Sequence, residues 1–258
     1  HDRPTAPTQY GHISTWDTSK IVNFNDLFNG LKTFNDDVSG WDTSKVTTFR
    51  NCFKGASAFN QPIGTWNVKK GKFFQNMFEQ STSFNQDIGA WDVRKARSMN
   101  AMFFHAYGFN GDISPWNVQR VTDMSNMFSY AASFNRPLTS WKVNKVKSFR
   151  SFLSSAWSFD SSVKDLVKWQ CTDMTYMFAN AASFDQPVWT FKTQNVRSLL
   201  GTFGGAVKFN QPLRAWNTAK VTNMQQTFMA AYLFNGDIYP WNTARVTSLH
   251  QTFSQAFA

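Results

Sequence analysis

The stretch that decides the fold is FNGDISPWNVQRVTDMSNMF, residues 109–128. Its tryptophan, Trp116, recurs every 25 residues, with Leu and Phe as the two substitutes. The full series is Trp16, Trp41, Trp66, Trp91, Trp116, Trp141, Leu166, Phe191, Trp216 and Trp241. No insertion or deletion interrupts it, so the chain consists of ten repeats of one unit. We name the tryptophan position column 0 and count forward to column +24.

Other columns repeat as regularly. Column +18 is phenylalanine wherever it occurs, from Phe34 to Phe234, and column +12 is phenylalanine in nine of ten repeats, with Leu153 the exception. Column +5 is mostly valine, and column +22 is always Val, Ile or Leu. A single 25-residue unit cannot bury all of these side chains alone, whereas stacked units bury each column as a continuous seam.

The pattern within each repeat predicts a strand followed by a helix. Columns +8, +11, +12 and +15 are apolar, which is the i, i+3, i+4, i+7 spacing of a short amphipathic helix. Column +7 offers Ser, Asp or Asn as the N-cap, and columns +4 to +6 alternate polar and apolar as a strand does. The expected fold is an α/β solenoid: a leucine-rich-repeat-like stack of ten 25-residue repeats, with a parallel sheet on one face and short helices on the other. Residues 1–8 would form an extended Pro/Thr tail, and residues 9–258 a single solenoid.

The segments Phe109–Val118 and Val121–Phe128 resemble the repeat of bacterial surface proteins in the BspA-like branch of the leucine-rich repeats. The likeness covers about residues 9–258. The seventh repeat departs most, with Leu166 in place of Trp and Ser161-Ser162 in place of Gln-Pro. The resemblance implies a leucine-rich-repeat fold, an extracellular or cell-surface location and a role in adhesion or protein binding.

Basic residues provide the most specific surface pattern. The chain has 26 Lys and Arg against 16 Asp and Glu, a net charge of +10. Columns +4 and +6 should point to the same side of a strand, opposite the buried column +5. Twelve basic residues occupy these two columns: Lys20, Lys45, Lys70, Lys72, Lys95, Arg97, Arg120, Lys145, Lys147, Arg197, Lys220 and Arg245. We predict that they bind an acidic polysaccharide or an acidic protein surface; the alternative is a solvated face that keeps a long sheet soluble.

The aromatic columns permit two interpretations. They could form a stacking platform for sugars or bases, but a ring at the same register in every repeat is more typical of a core. Trp157, Trp169 and Trp189 fall outside the columns and are the candidates for exposed contact residues.

The remaining polar residues favour structure over catalysis. Column +19, from Asn35 to Asn235, predicts a ladder of side chains that bind loop backbone between repeats. The four histidines share no column, and no nucleophile or metal-ligand spacing is found, so we expect no enzymatic activity, no cofactor and no metal. Cys52 and Cys171 lie about five repeats apart, roughly 23 Å, and should be buried free thiols.

The predicted function is therefore a non-enzymatic extracellular or cell-surface scaffold for adhesion, and for protein or polyanion binding. The alternative is a structural subunit that stacks head to tail into a filament, because residues 9–258 span a whole number of repeats and neither end shows a polar capping repeat. The start at His1 without methionine indicates a processed or trimmed chain. No apolar run is long enough to span a membrane, and no readout motif supports nucleic-acid binding.

Overall fold

Successive repeats stack on one another as rungs. The computed structural model describes residues 11–164, 166–168 and 170–256. The rings of column +18 form an unbroken series from Phe34 to Phe234, with neighbouring centroids 5.8–6.0 Å apart. The prediction that columns become continuous seams is confirmed for this stack. The proposed tail, residues 1–8, lies outside the described residues.

The tryptophan column joins the rungs by hydrogen bonds as well as by ring contact. The indole of Trp116 stacks on that of Trp141, with centroids 6.4 Å apart. Its Nε1 donates to the carbonyl of Ile88, 3.0 Å away. Ile88 is the column +22 residue one rung before Ile113, which lies three residues before Trp116. Trp141 binds Ile113 in the same way at 3.1 Å. Because the polar edge of each indole is satisfied in this way, the ring can be buried completely.

The expected helices are absent from the described residues, and the prediction of an α/β, leucine-rich-repeat solenoid is wrong. In the second rung, residues 49–56, Asn51 and Gly55 have positive φ angles of 53° and 68°. Columns +10 and +14 are left-handed in all ten rungs, with φ between 50° and 75°. A left-handed residue ends a right-handed helix, so two in every eight residues leave only a series of turns.

Backbone hydrogen bonds in this segment alternate between two directions. The amides of Phe49 and Phe53 donate to the next rung, to the carbonyls of Phe73 and Met77. The amide of Cys52 instead closes a turn onto Phe49, three residues earlier. Consecutive turns place columns +8, +11, +12 and +15 inward, as a helix would, which is why the sequence pattern misled.

The expected parallel sheet contracts to one residue per rung. Parallel bridges join column +7 residues, for example Thr48 to Phe73 and Phe73 to Ser98. The only helical elements of the described residues are two 3-10 helices, Ile13–Thr15 and Ile63–Thr65. The column +7 side chains make the local bond expected of a cap, since Asp123 Oδ1 accepts from the amide of Ser125 at 3.0 Å, but the bond opens a turn rather than a helix.

Candidate functional site

The backbone of columns +1 to +7 sets the position of the basic residues. In the fourth rung Asp92 at column +1 accepts a hydrogen bond from the amide of Arg94 at 3.2 Å, which forms a tight turn. Ala96 at column +5 is fully buried. Beside it, the amide of Arg97 donates to the carbonyl of Lys72 one rung earlier, at 2.8 Å. The basic side chains on either side of column +5 are thereby fixed in register from rung to rung.

All twelve predicted basic residues are exposed. We call them the basic face: Lys20, Lys45, Lys70, Lys72, Lys95, Arg97, Arg120, Lys145, Lys147, Arg197, Lys220 and Arg245. In the part of the chain that the structure describes, no ion pair involves any of them; the three pairs found are Lys54–Glu79, Arg94–Asp92 and Arg214–Asp237. Asp17 and Asp42 offset part of the charge of Lys20 and Lys45: local hydrogen bonds lower the pKa of the two carboxyls, and these lysines lower it further. No ion pair within the described ranges neutralises the face.

The third to fifth rungs form a concavity of about 320 Å³ beside the basic face. Two members of the face, Lys95 and Arg120, line it together with Lys69 and Arg94. The sequence analysis missed these last two residues because column +3 is basic in only two rungs. A signal was present, since Lys69-Lys70 and Arg94-Lys95 are adjacent pairs in neighbouring rungs.

One carboxylate, Asp92, lies within this group of cations. Arg94 Nε and Nη2 donate to its two oxygens at 2.8 and 2.7 Å. This side-chain hydrogen bond lowers the pKa of Asp92, and the positive charges of Arg94 and Lys69 lower it further. The carboxylate of Asp92 therefore stays ionised near neutral pH and offsets one of the four cations, which leaves the concavity positive.

The candidate aromatic residues separate into exposed and buried groups. Trp157 and Trp189 are 50% and 54% exposed, while Trp169 lies outside the described residues. The tryptophans and phenylalanines of the interior columns are buried, Trp116 to 2%. The interpretation of these columns as a core is confirmed, and a ligand-stacking platform built from them is excluded.

The asparagine ladder is present as predicted. Asn85 Oδ1 accepts from the amide of Asn110 at 2.8 Å, and Asn110 Oδ1 accepts from that of Asn135 at 2.9 Å. The same bond recurs from Asn35 to Asn235, with Asp160 and Asp185 as equivalent acceptors. The side chains of this column therefore bind the loop backbone of the next rung, as a structural ladder.

Acidic and thiol side chains are occupied by local structure. Asp87, Asp112 and Asp237 each accept from a backbone amide two residues further along. No group of three or more His, Cys, Asp or Glu suited to a metal occurs among the described residues. Cys52 and Cys171 are buried free thiols, and burial raises the pKa of Cys171 to about 12.

Among the residues described, no helix is long and apolar enough to cross a membrane.

Comparison with known proteins identifies a repeat family. The sequence model of the family described as "Mycoplasma protein of unknown function, DUF285" matches residues 5–110, 87–188 and 163–258. The three matches overlap and together extend over nearly the whole chain, as expected for a repeated unit. No curated protein matches the chain.

Proposed function

Because this chain belongs to the DUF285 family, whose description names no function, we propose a function from its surface: a non-enzymatic repeat scaffold that binds an extended acidic polysaccharide along the basic face. One observation carries the proposal. Twelve exposed cations follow the rungs in register, and no ion pair among the described residues neutralises them.

The spacing of these charges favours a polymer over a small anion. Neighbouring rungs hold their stacked core rings 5.2–6.4 Å apart. Like charges at about 5 Å repel by about 0.8 kcal/mol per pair even in water, so a chain of regularly spaced anions relieves repulsion along the whole stack. The concavity at Lys69, Arg94, Lys95 and Arg120 is where this attraction should be strongest.

An extracellular or cell-surface location is part of the proposal. Its support is the likeness of segments such as Val121–Phe128 to the BspA-like surface-protein repeat. Adhesion through an acidic polysaccharide fits that setting and requires neither a cofactor nor a catalytic group.

Binding to heparin, with desulfated heparin as the comparison probe, tests the polysaccharide proposal. Glutamine substitution of the four cations of the concavity should weaken heparin binding roughly 30-fold, at about 0.5 kcal/mol per exposed charge pair. The affinity should also fall as salt rises. Heparin binding that does not depend on salt, or no binding at all, would reject the proposal; preference for an acidic protein over heparin would reassign the face.

A matched control removes the same charge elsewhere. Lys32, Lys164, Lys208 and Arg214 are exposed and lie outside the basic columns. Their fourfold glutamine variant should retain most of the affinity for heparin. Equal weakening by both variants would mean that net charge, not the basic face, governs binding.

The end faces favour a second candidate function, head-to-tail assembly with another copy of the chain. In the first rung the carbonyls of columns +7, +9, +11 and +13 accept no hydrogen bond from any described residue: Asn23, Asn25, Leu27 and Asn29. In the last rung the amides of columns +8, +10, +12 and +14 donate no backbone hydrogen bond to any described residue: Leu249, Gln251, Phe253 and Gln255. Between interior rungs these same groups pair, with the Met124 amide as the exception among the described residues, so the two faces are complementary.

Electron microscopy of the purified chain tests assembly. Because Leu249 and Phe253 are exposed on the last rung, Phe253→Asp should abolish any filaments and leave single stacks. Trp189→Asp, a mid-stack surface change, should leave filaments intact. Monodisperse single stacks of the unmodified chain at its highest soluble concentration would reject this candidate.

A further inference from the structure

Exposed aromatic side chains occur together on three successive rungs, at columns +14 and +16. Tyr107, Tyr130 and Trp157 are 40%, 36% and 50% exposed. With Phe104 and His105 they form a surface that we call the aromatic edge. It lies outside columns +4 and +6 and therefore takes no part in the basic face.

Four of the five rings of this edge contact one another: Phe104, His105, Tyr107 and Tyr130. His105 stacks on Tyr130 with centroids 4.3 Å apart and planes 9° apart. Phe104 contacts both rings edge-on, at 4.3 Å from His105 and 6.1 Å from Tyr130. The hydroxyl of Tyr107 lies 2.8 Å from His105 Nδ1. A rigid set of rings loses little entropy when it binds a ligand.

Two of these rings stand where the backbone favours glycine. His105 and Tyr130 occupy column +14 with φ angles of 56° and 59°. Gly30, Gly55 and Gly205 fill the same left-handed position in other rungs. A bulky side chain is strained there, so two neighbouring aromatic residues reduce stability without adding to the core. Gln80, Ser155, Asn180, Ala230 and Gln255 hold the same column with positive φ, so the fold accepts other side chains there and does not itself require two aromatic residues.

The segments that form the edge carry no formal charge; the charge that acts on His105 is that of Glu79 in the preceding rung, which is itself paired with Lys54 at 3.0 Å. Residues 104–108, 129–133 and 154–158 contain no Asp, Glu, Lys or Arg, in a chain of net charge +10. They do contain exposed hydroxyls, at Ser133 and Ser158. Rings beside neutral hydrogen-bonding groups match an uncharged ligand that has both apolar and hydroxyl surfaces.

We propose that the aromatic edge binds a neutral saccharide. The C–H faces of a pyranose are apolar and stack on aromatic rings, while its hydroxyls find partners at serine, tyrosine and histidine. In column +16 the small Ala132 lies between Tyr107 and Trp157, and backbone bonds of 3.1 Å from Ser133 to Tyr107 and from Ser158 to Ala132 hold the three rungs together. The two rings thus lie on either side of a small side chain in the same column.

Charge distinguishes this site from a nucleic-acid platform. Base stacking on aromatic rings is accompanied by cations that bind phosphate, and the three segments of the edge supply none. The proposed saccharide is therefore neutral, whereas the polymer proposed for the basic face is acidic.

Calorimetry with cellohexaose and chitohexaose, two neutral flat oligosaccharides, tests the proposal. At least one should bind and change tryptophan fluorescence, with an affinity that does not vary with salt. Trp157→Ala should weaken binding roughly 10-fold or more, by loss of one stacking ring. Tyr130→Asn should do the same and keep the fold, because Asn180 holds this column with a φ of 55°.

Other rungs of the same chain supply the control for each variant. Ala182 occupies column +16, the column of Trp157, in the seventh rung. The Trp157→Ala variant therefore introduces a residue that the fold already accepts in that column. Trp189→Ala removes an equally exposed indole from column +23 and should leave binding unchanged. Failure of both oligosaccharides to bind, or equal weakening by Trp157→Ala and Trp189→Ala, would overturn the proposal. Retention of saccharide binding in the heparin-defective variant would separate the two sites.

Discussion

Trp116 and Trp16 occupy the same column in two different repeats, yet Trp116 is 2% exposed and Trp16 is 43% exposed. The difference comes from position alone: Trp116 lies between two rungs, whereas Trp16 belongs to the first described rung. Column +12 behaves alike, with Phe103 fully buried and Phe253 47% exposed. A side chain in this protein therefore acquires its burial from neighbours 25 residues away, and its energetic weight should fall toward the ends.

The largest expected effect is on the phenylalanine column. Phe103→Ala should lower the free energy of unfolding by about 3–5 kcal/mol, because it leaves a cavity among stacked rings. Phe253→Ala, in the same column, should cost about 1 kcal/mol, since only part of that ring is buried. Urea denaturation of both variants measures the two values. Equal losses would show that position in the stack does not govern the contribution of a ring.

In column +5 the Cys171 thiol should make the stability of the chain depend on pH, whereas the valines of the same column should not. Burial raises the pKa of the Cys171 thiol from 9.0 to about 12, so the fold favours the protonated form. This contribution is complete below pH 9 and is lost as pH rises toward 12. Relative to Cys171→Val, which copies Val146 and Val196, the unmodified chain should lose about 2 kcal/mol between pH 8 and about pH 10.5. Parallel loss of stability in the two proteins would contradict the shifted pKa.

The asparagine ladder should show the contrast in hydrogen bonds. Asn110→Ala removes the acceptor of the Asn135 amide and should cost about 1 kcal/mol. Asn235→Ala should change stability by less than about 0.3 kcal/mol, because its side-chain oxygen has no next rung among the described residues to bind. Thermal unfolding of the two variants measures this difference, and a larger loss for Asn235→Ala would refute it.

The smallest expected effect concerns the left-handed columns. Ala101 has a φ of 50°, and Gly201 occupies the same column with a φ of 59°. Ala101→Gly should therefore stabilise the chain by about 0.5 kcal/mol, through relief of strain. Ala215→Gly, at an exposed position without positive φ, should destabilise it by about 0.5 kcal/mol. Destabilisation by both changes would argue against a left-handed residue at column +10.

The sequence predicted the columns of core residues and the asparagine ladder, but it did not predict the turns of the local backbone. Identical spacing of Phe34 to Phe234 requires stacking whatever the local backbone, so the core columns and the asparagine ladder followed from it. The local structure did not follow, because turns and helices can bury the same columns. Asn51, Asn76, Asn126 and Gly201 at column +10, residue types that accept positive φ, were the signal that this segment does not form a helix.

The candidate site was predicted unevenly for a similar reason. The twelve residues of the basic face repeat and could be read from the columns. Column +3 is basic in only two rungs, at Lys69 and Arg94, and the aromatic edge extends over only three rungs. Periodicity therefore could not identify either of them. Their importance depends on contacts across rungs, such as that of His105 with Tyr130, which require the register of the stack.

The tryptophan bonds give the stack a direction. Indoles of column 0 donate backward along the chain, as Trp116 does to Ile88, while the amides of columns +8, +10, +12 and +14 donate forward. Along columns +7 to +14, the first described rung therefore presents carbonyl acceptors and the last presents amide donors. Two molecules that met through the same end would place carbonyls against carbonyls or amides against amides. A head-to-tail assembly through these columns therefore requires every subunit to point the same way.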